Sequence, residues 1–251
     1  MNQRISLFVL AAMLLGFAVP SLAQDEEPTW LSITYVDVKP EMDTQFQDLL
    51  RTHWLPAAKK TDLPFMETWR AGRFGDAFQY AFVAPIRSFA EYDGTPPMLK
   101  VMKPEEYAVL YERLRKCVTG VRSVAYIQSP GLSYDHREGA RPKHAVVATV
   151  RVRPGKEKAY AEVSKQLMAA FQKLEGHPAL FTSQVVFGGN NNDWMHVVMI
   201  DSYAEIDKGP PLQRALGAEE AAKFEEKFNA LIEHEELKIV DHLLEFSFRK
   251  E

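Results

Sequence analysis

Short β-branched stretches alternate along this chain with longer stretches of helical period. Residues 32–38 and 145–152 are brief and rich in β-branched side chains, which predicts strands. After Pro40 and Pro154 the period changes: Phe46, Leu49, Leu50 and His53 follow the i, i+3, i+4, i+7 rule, and Tyr160, Val163, Leu167 and Phe171 nearly repeat it. Two more strands are predicted in each case, 66–73 with 78–84 and 180–187 with 194–200. The Gly-Asp and Gly-Gly-Asn-Asn-Asn segments between them tolerate the positive φ of a hairpin turn. Tyr107, Leu110, Tyr111 and Leu114 mark a second helix, as do Ala221, Phe224, Phe228 and Leu231; strands at 121–127 and 237–248 follow.

The two series match at a constant offset of 114. Val36, Val38 and Pro40 return as Val150, Val152 and Pro154. Without a gap, Thr68 returns as Thr182, Gly75 as Gly189, Val83 as Val197, Ser88 as Ser202, and Pro96-Pro97 as Pro210-Pro211. A register kept over so long a stretch implies duplication. Each copy reads βαββαβ, the ferredoxin-like order. The expected fold class is therefore α+β, with two tandem ferredoxin-like repeats packed sheet to sheet as an intramolecular α+β barrel.

The predicted boundaries are 1–23 for a secretory leader, 24–29 for an acidic disordered start, 30–127 and 143–251 for the repeats, and 128–142 for a linker. Arg4, the apolar run 5–19, Pro20 and Ser21-Leu22-Ala23 have the three regions of a cleaved signal peptide. The run is too short to span a bilayer, which needs about 20 apolar residues. These features imply a periplasmic or secreted protein with no membrane attachment after cleavage following Ala23. Removal of the leader takes away one basic residue and shifts the formal net charge from −4 to −5. A mildly acidic chain without a basic stripe offers no electrostatic footprint for nucleic acid. Cys117 has no partner for a disulfide, so stability rests on an apolar core.

A sheet with helices on one side leaves its other face to be covered. Val36 and Val38 are assigned to the helix side, which puts Tyr35 and Asp37, with Thr149 and Arg151, on the uncovered face. In the third strand Ala81 and Val83 are read as plain core, and Tyr80, Phe82, Trp194 and His196 as the uncovered face. Thr68, Arg70, Thr182 and Gln184 are placed with them. Two such faces turned toward each other would enclose an aromatic and polar chamber, with Asp37 and Arg151 paired inside.

The Val-Lys-Pro-Glu-Met-Asp and Val-Arg-Pro-Gly-Lys-Glu junctions, with the βαββαβ order, resemble the dimeric α+β barrel superfamily. That group includes antibiotic-biosynthesis-type monooxygenases, NIPSNAP-like proteins, muconolactone-isomerase-like enzymes and haem-handling relatives. The resemblance implies fold rather than reaction, and a monomer with an internal pseudo-dimer, or a homodimer.

The first functional expectation is binding of a small aromatic or apolar molecule between the sheets. Tyr35, Tyr80, Phe82 and Trp194 would form the walls, Arg70, Arg151, Gln184 and Asp37 the polar contacts, and His53 the mouth. The alternatives are a cofactor-independent monooxygenase or isomerase in which His196 or Asp37 moves a proton, and a structural envelope protein without a ligand. As bland readings, His196 is core filling opposite Phe82, and His53 caps a helix end. No metal site is read: His234-Glu235-Glu236 lacks the two-histidine spacing of a helical zinc site, and Asp241-His242 points to opposite strand faces. Haem needs one axial histidine, but no residue here matches the ligand of the haem-handling relatives, so no cofactor is assigned.

Overall fold

The computed structural model describes residues 27–137, 141–174 and 178–250. The proposed leader, 1–23, lies outside them.

The chain runs β1 (Thr29–Val38), α1 (Asp43–Leu49), a π-helical turn (Leu50–Trp54), α2 (Leu55–Ala58), β2 (Phe65–Phe74), β3 (Gln79–Pro85), α3 (Pro104–Cys117) and β4 (Val118–Gln128). It continues through β5 (His144–Val152), α4 (Glu157–Phe171), β6 (Leu180–Phe187), β7 (Asp193–Ile200), α5 (Pro211–Leu216), α6 (Ala218–Asn229), β8 (Ile232–His242) and β9 (Phe248–Arg249). Helices α3 and α6 start at positions 114 apart, α3 behind extended Lys103 and α6 behind Gly217, whose φ is 83°. Strand β8 begins five residues before the predicted 237, because Glu233 to Glu236 looked too polar for a strand.

The fold class differs from the expectation. Instead of two ferredoxin-like repeats stacked sheet to sheet, the strands join edge to edge in the order β3-β1-β4-β6-β7-β5-β8-β2, and β2 pairs back onto β3. The result is one closed antiparallel barrel of eight strands with helices outside; β9 adds a two-residue pairing to β2. The physical reason lies in the edges. Two stacked sheets would leave rows of unpaired N–H and C=O groups at their margins, whereas the β4–β6 and β2–β8 ladders satisfy them. Gly188 sits at one of these joints with φ of 81°, where a Cβ would come within 2.3 Å of the Ser123 carbonyl oxygen.

Two clasps reinforce the joints. After β4 the chain crosses to β6, where the Thr182 amide donates to Ser133 Oγ at 2.9 Å and the Ser129 amide to the Thr182 carbonyl at 3.0 Å. After β8 it crosses to β2 in the same way, with the Thr68 amide donating to Ser247 Oγ at 2.8 Å and the Leu243 amide to the Thr68 carbonyl at 2.8 Å. Leu132 thereby enters the core under α4, and Phe246 the core under α1. The segment 128–142, expected as a linker, thus carries one of the clasps.

The barrel lumen is filled by one apolar cluster to which all eight strands contribute, including Leu31, Ile33, Trp69, Val83, Val124, Tyr126, Val147, Val185, Met195 and Val240. Eight strands leave an interior about wide enough for side chains to fill. The chamber expected between two sheets is occupied by this core.

Candidate functional site

Strand register decides which predicted site residues meet. Tyr35 lies opposite Ala81 and Val36 opposite Tyr80; Thr68 lies opposite Phe82 and Arg70 opposite Tyr80. Neighbours across a ladder share a face, so Tyr80, Phe82, Thr68 and Arg70 stand with Val36 on the outer, helix-covered side. In the same way Val150 lies opposite Trp194, and Thr182 opposite His196. The expected phase of β1 and β5 agrees with the structure; that of β2, β3, β6 and β7 is inverted. Alternation defines two faces without saying which one the helices cover. The larger aromatic rings lie under helices, and Ala81, Val83, Met195 and Val197 take the lumen.

Only Tyr35 among the predicted wall residues lies in the lumen. Its hydroxyl is 3.1 Å from that of Tyr126, and the Arg122 guanidinium and Lys238 ammonium lie 5.2 and 5.9 Å from its ring centre. Burial pushes the Tyr35 phenol above its usual range.

Tyr80 and Arg70 belong to a closed knot under α1. The Tyr80 hydroxyl donates to Asp43 Oδ1 at 2.5 Å, Arg70 donates to Asp43 Oδ2 at 3.1 Å, and Gln47 reaches both Asp43 and Tyr80. Burial, then the Asp43 acceptor, raise the Tyr80 phenol well above its ordinary range. Each of these groups has hydrogen-bond partners within the cluster, so the knot is structural. Phe82 packs beside it.

The remaining predictions scatter. Asp37 accepts from Gln79 at 2.9 Å, and Arg151 forms a two-pronged pair with Asp193 at 2.7 and 3.0 Å, so the expected Asp37–Arg151 pair does not form. Each finds its partner directly opposite on the antiparallel strand beside it, β3 for Asp37 and β7 for Arg151. Gln184 donates to the Asn191 carbonyl at 2.8 Å on the surface. His53 is exposed on the π-helical turn. Trp194 is buried against Tyr160, with ring centres 5.3 Å apart.

The large cavity lies elsewhere, between the outer face of β5, β7 and β8 and the helices α4 and α6. Its volume is about 950 Å³, and its walls include Ala148, Phe171, Val198, Phe224, Phe228 and Leu237. Comparison across the offset of 114 shows why this face is unusual. Ser32, Thr34 and Ser123 hold the positions of Val146, Ala148 and Leu237, and Thr34 Oγ1 and Ser123 Oγ are 2.9 Å apart on an open surface. In one half three positions of the accessible sheet face carry hydroxyls, as contact with water favours, beside Val121, which is 62% exposed. In the other the same three are apolar, and Leu237 remains 64% exposed. A contiguous accessible apolar surface usually marks a binding site.

Glu235 and His196 face this cleft from the sheet, and Lys238 touches its lining while pointing to the Tyr35 ring. Glu235 stands where the first half has Val121 and is exposed at the cleft surface, and desolvation beside the apolar wall raises its carboxyl above the usual range. His196 forms part of the floor, with Nε2 at 2.7 Å from the Tyr160 hydroxyl and Nδ1 at 3.0 Å from Thr182 Oγ1. Burial lowers its pKa to about 4, so at neutral pH the ring is uncharged and both its nitrogens are occupied. Of the predicted site residues, the cleft gathers only His196. Glu235 was missed; the sequence signal was an acid replacing valine on a face whose serine and threonine positions had turned apolar.

No family model matches the chain, and no curated protein matches it. Solved structures do. A candidate monooxygenase from Fusobacterium nucleatum superposes with a TM-score of 0.61 at 12% identity, covering 86% of this chain and 93% of that one. An anthrone oxidase-like protein gives 0.59 at 11% identity, covering 87% and 92%. A candidate monooxygenase from Lactobacillus acidophilus gives 0.56 at 11%, covering 89% and 97%. What the chain shares with them is a fold. The resemblance read from the strand–helix junctions, to a tandem ferredoxin-like form of NIPSNAP and antibiotic-biosynthesis monooxygenase proteins, is therefore corrected to a likeness with closed α+β barrel structures.

Proposed function

We propose that this protein is a monooxygenase-like enzyme that takes a small, mainly apolar, phenolic or enolisable substrate into the cleft between β5, β7, β8 and α4, α6. The observation that carries the reading is one carboxylate, Glu235, on an apolar wall that the first half of the chain makes polar. The fold shared with candidate monooxygenases supports it.

Glu235 is the general base. A carboxyl raised above its usual range is better matched to proton abstraction near neutral pH than an ordinary surface glutamate. Removing a proton from an enolisable CH₂ group or a phenol leaves an electron-rich anion that reacts with O₂. For a ketone whose CH₂ becomes C=O, the substrate supplies both hydrogens and all four electrons; one oxygen atom enters the product and the other leaves as water. No external reductant is required for that balance. His196 positions Tyr160 and Thr182 and keeps the floor uncharged; it does not carry the proton, because both ring nitrogens are engaged.

Anthrone is a suitable first substrate, since one structural neighbour is anthrone oxidase-like. Oxygen uptake with anthrone is expected to exceed the uncatalysed rate and to fall at least about 100-fold in Glu235→Gln, the lower end of a general base's contribution. Equal rates in the two proteins would remove Glu235 from the reaction.

A further inference from the structure

Beyond the reacting end of this substrate, the mouth of the cleft carries information about its far end. The mouth is formed by the segment from Glu205 to Arg214, in which Gly209 has a φ of 86° and Pro210-Pro211 stiffens the turn. Lys208 and Arg214 stand on either side of this turn and both line the cleft. Neither forms an ion pair among the described residues.

The acids that line the same cleft are not paired with them among the described residues. Glu205 is occupied, accepting from the Asp201 amide at 2.9 Å. Glu235 lies on the sheet wall, and Lys238 is turned toward the Tyr35 ring, 5.9 Å away. Glu225 of α6 also lines the cleft and forms no ion pair among the described residues. Long basic side chains can lay their stems along an apolar wall and keep their heads at its edge, which suits a ligand whose apolar body fills the cleft and whose charge stays at the opening.

Resting on the functional reading above, we infer that the substrate is an amphipathic organic anion: a ring or chain body against Leu237 and Phe228, with an acidic group held by Lys208 and Arg214. A guanidinium and an ammonium can share one carboxylate or sulfonate, the former through parallel N–H donors. The acid would fix which end of the molecule reaches Glu235.

Two dyes with the same rings test this, anilinonaphthalene sulfonate and the uncharged phenylnaphthylamine, each titrated by fluorescence against the full chain. The anionic dye is expected to bind about tenfold more tightly, the scale of one favourable charge contact. In the double variant Lys208→Gln with Arg214→Gln, both at exposed positions, that preference should shrink to within twofold while the neutral dye is unaffected and the melting temperature is unchanged. Leu237→Trp, which reshapes the apolar wall, should change the affinity of both. If both dyes bind equally well and the double variant changes neither, the anion inference is overturned and the cleft reading stands. If neither dye binds, or if Leu237→Trp leaves both affinities unchanged, the cleft is not the ligand site and both readings fall.

Discussion

Tyr160 Oη and His196 Nε2 lie 2.7 Å apart where solvent does not reach, and Thr182 Oγ1 holds the other ring nitrogen at 3.0 Å. The imidazole is the bridge between two buried hydroxyls, each of which loses its partner if the ring is removed. His196→Ala should therefore lower stability by about 2–4 kcal/mol, from a cavity together with unsatisfied hydroxyls. Chemical denaturation would measure it. Oxidation per folded molecule should fall much less than in Glu235→Gln.

The same ring makes stability depend on pH. Its pKa is depressed from 6.5 to about 4 by burial, so between those values the unfolded chain binds a proton that the folded chain refuses. The contribution is complete above about 6.5 and is lost as the pH falls toward 4. Its slope is at most about 1.4 kcal/mol per pH unit. Denaturation curves across that range should be steeper in pH for the wild type than for His196→Gln; identical slopes would mean the ring is protonated in the folded protein.

Glu67 tightens the clasp after β8. His242 Nε2 lies 2.7 Å from Glu67 Oε2, Arg141 pairs with the same oxygen at 2.6 Å, and Arg249 of β9 pairs with Oε1 at 2.5 Å. Trp69 stacks on the His242 ring at 4.2 Å. Burial alone would push the Glu67 carboxyl up, but hydrogen bonds from His242, Arg249 and Arg141 outweigh it and hold the pKa at about 2. A depressed carboxyl stabilises the fold above its ordinary value of 4.5, and that share is lost as the pH falls from there through about 2. Glu67→Gln should cost about 1–3 kcal/mol, because it takes the carboxylate from buried His242 and part-buried Arg141 while Arg249 stays largely in water, and the variant should lack this acid-dependent loss.

Arg151→Ala, by contrast, should change stability by no more than about 1 kcal/mol. Its pair with Asp193 is 45% exposed on the arginine side and is screened by water. A drop in melting temperature comparable to that of Glu67→Gln would show that the pair matters more than its exposure implies.

Dressing the cleft as the first half is dressed tests what its apolar wall is for. The triple substitution Val146→Ser, Ala148→Thr and Leu237→Ser copies Ser32, Thr34 and Ser123. The variant should fold, since the first half carries those residues on the corresponding face, and should lose affinity for the uncharged dye by at least about tenfold, the scale expected from losing roughly 1.4 kcal/mol of apolar contact. Unchanged affinity would place the dye elsewhere.

The order of strands and helices, the correspondence at an offset of 114 and the phase of β1 and β5 were legible in the sequence, because these follow from local period and from direct comparison of residues. The sequence could not determine which face of β3 or β7 the helices cover. Both faces carry apolar residues, Ala81 and Val83 on one and Tyr80 and Phe82 on the other, and alternation is symmetric between inside and outside. Nor could it show that sheet edges would join. Edge pairing is set by backbone groups common to every residue, so no side-chain pattern announces the β4–β6 and β2–β8 ladders. That closure filled the expected chamber with side chains and moved the open space to the outer face, where only the tertiary structure brings Glu235 and His196 to one cleft.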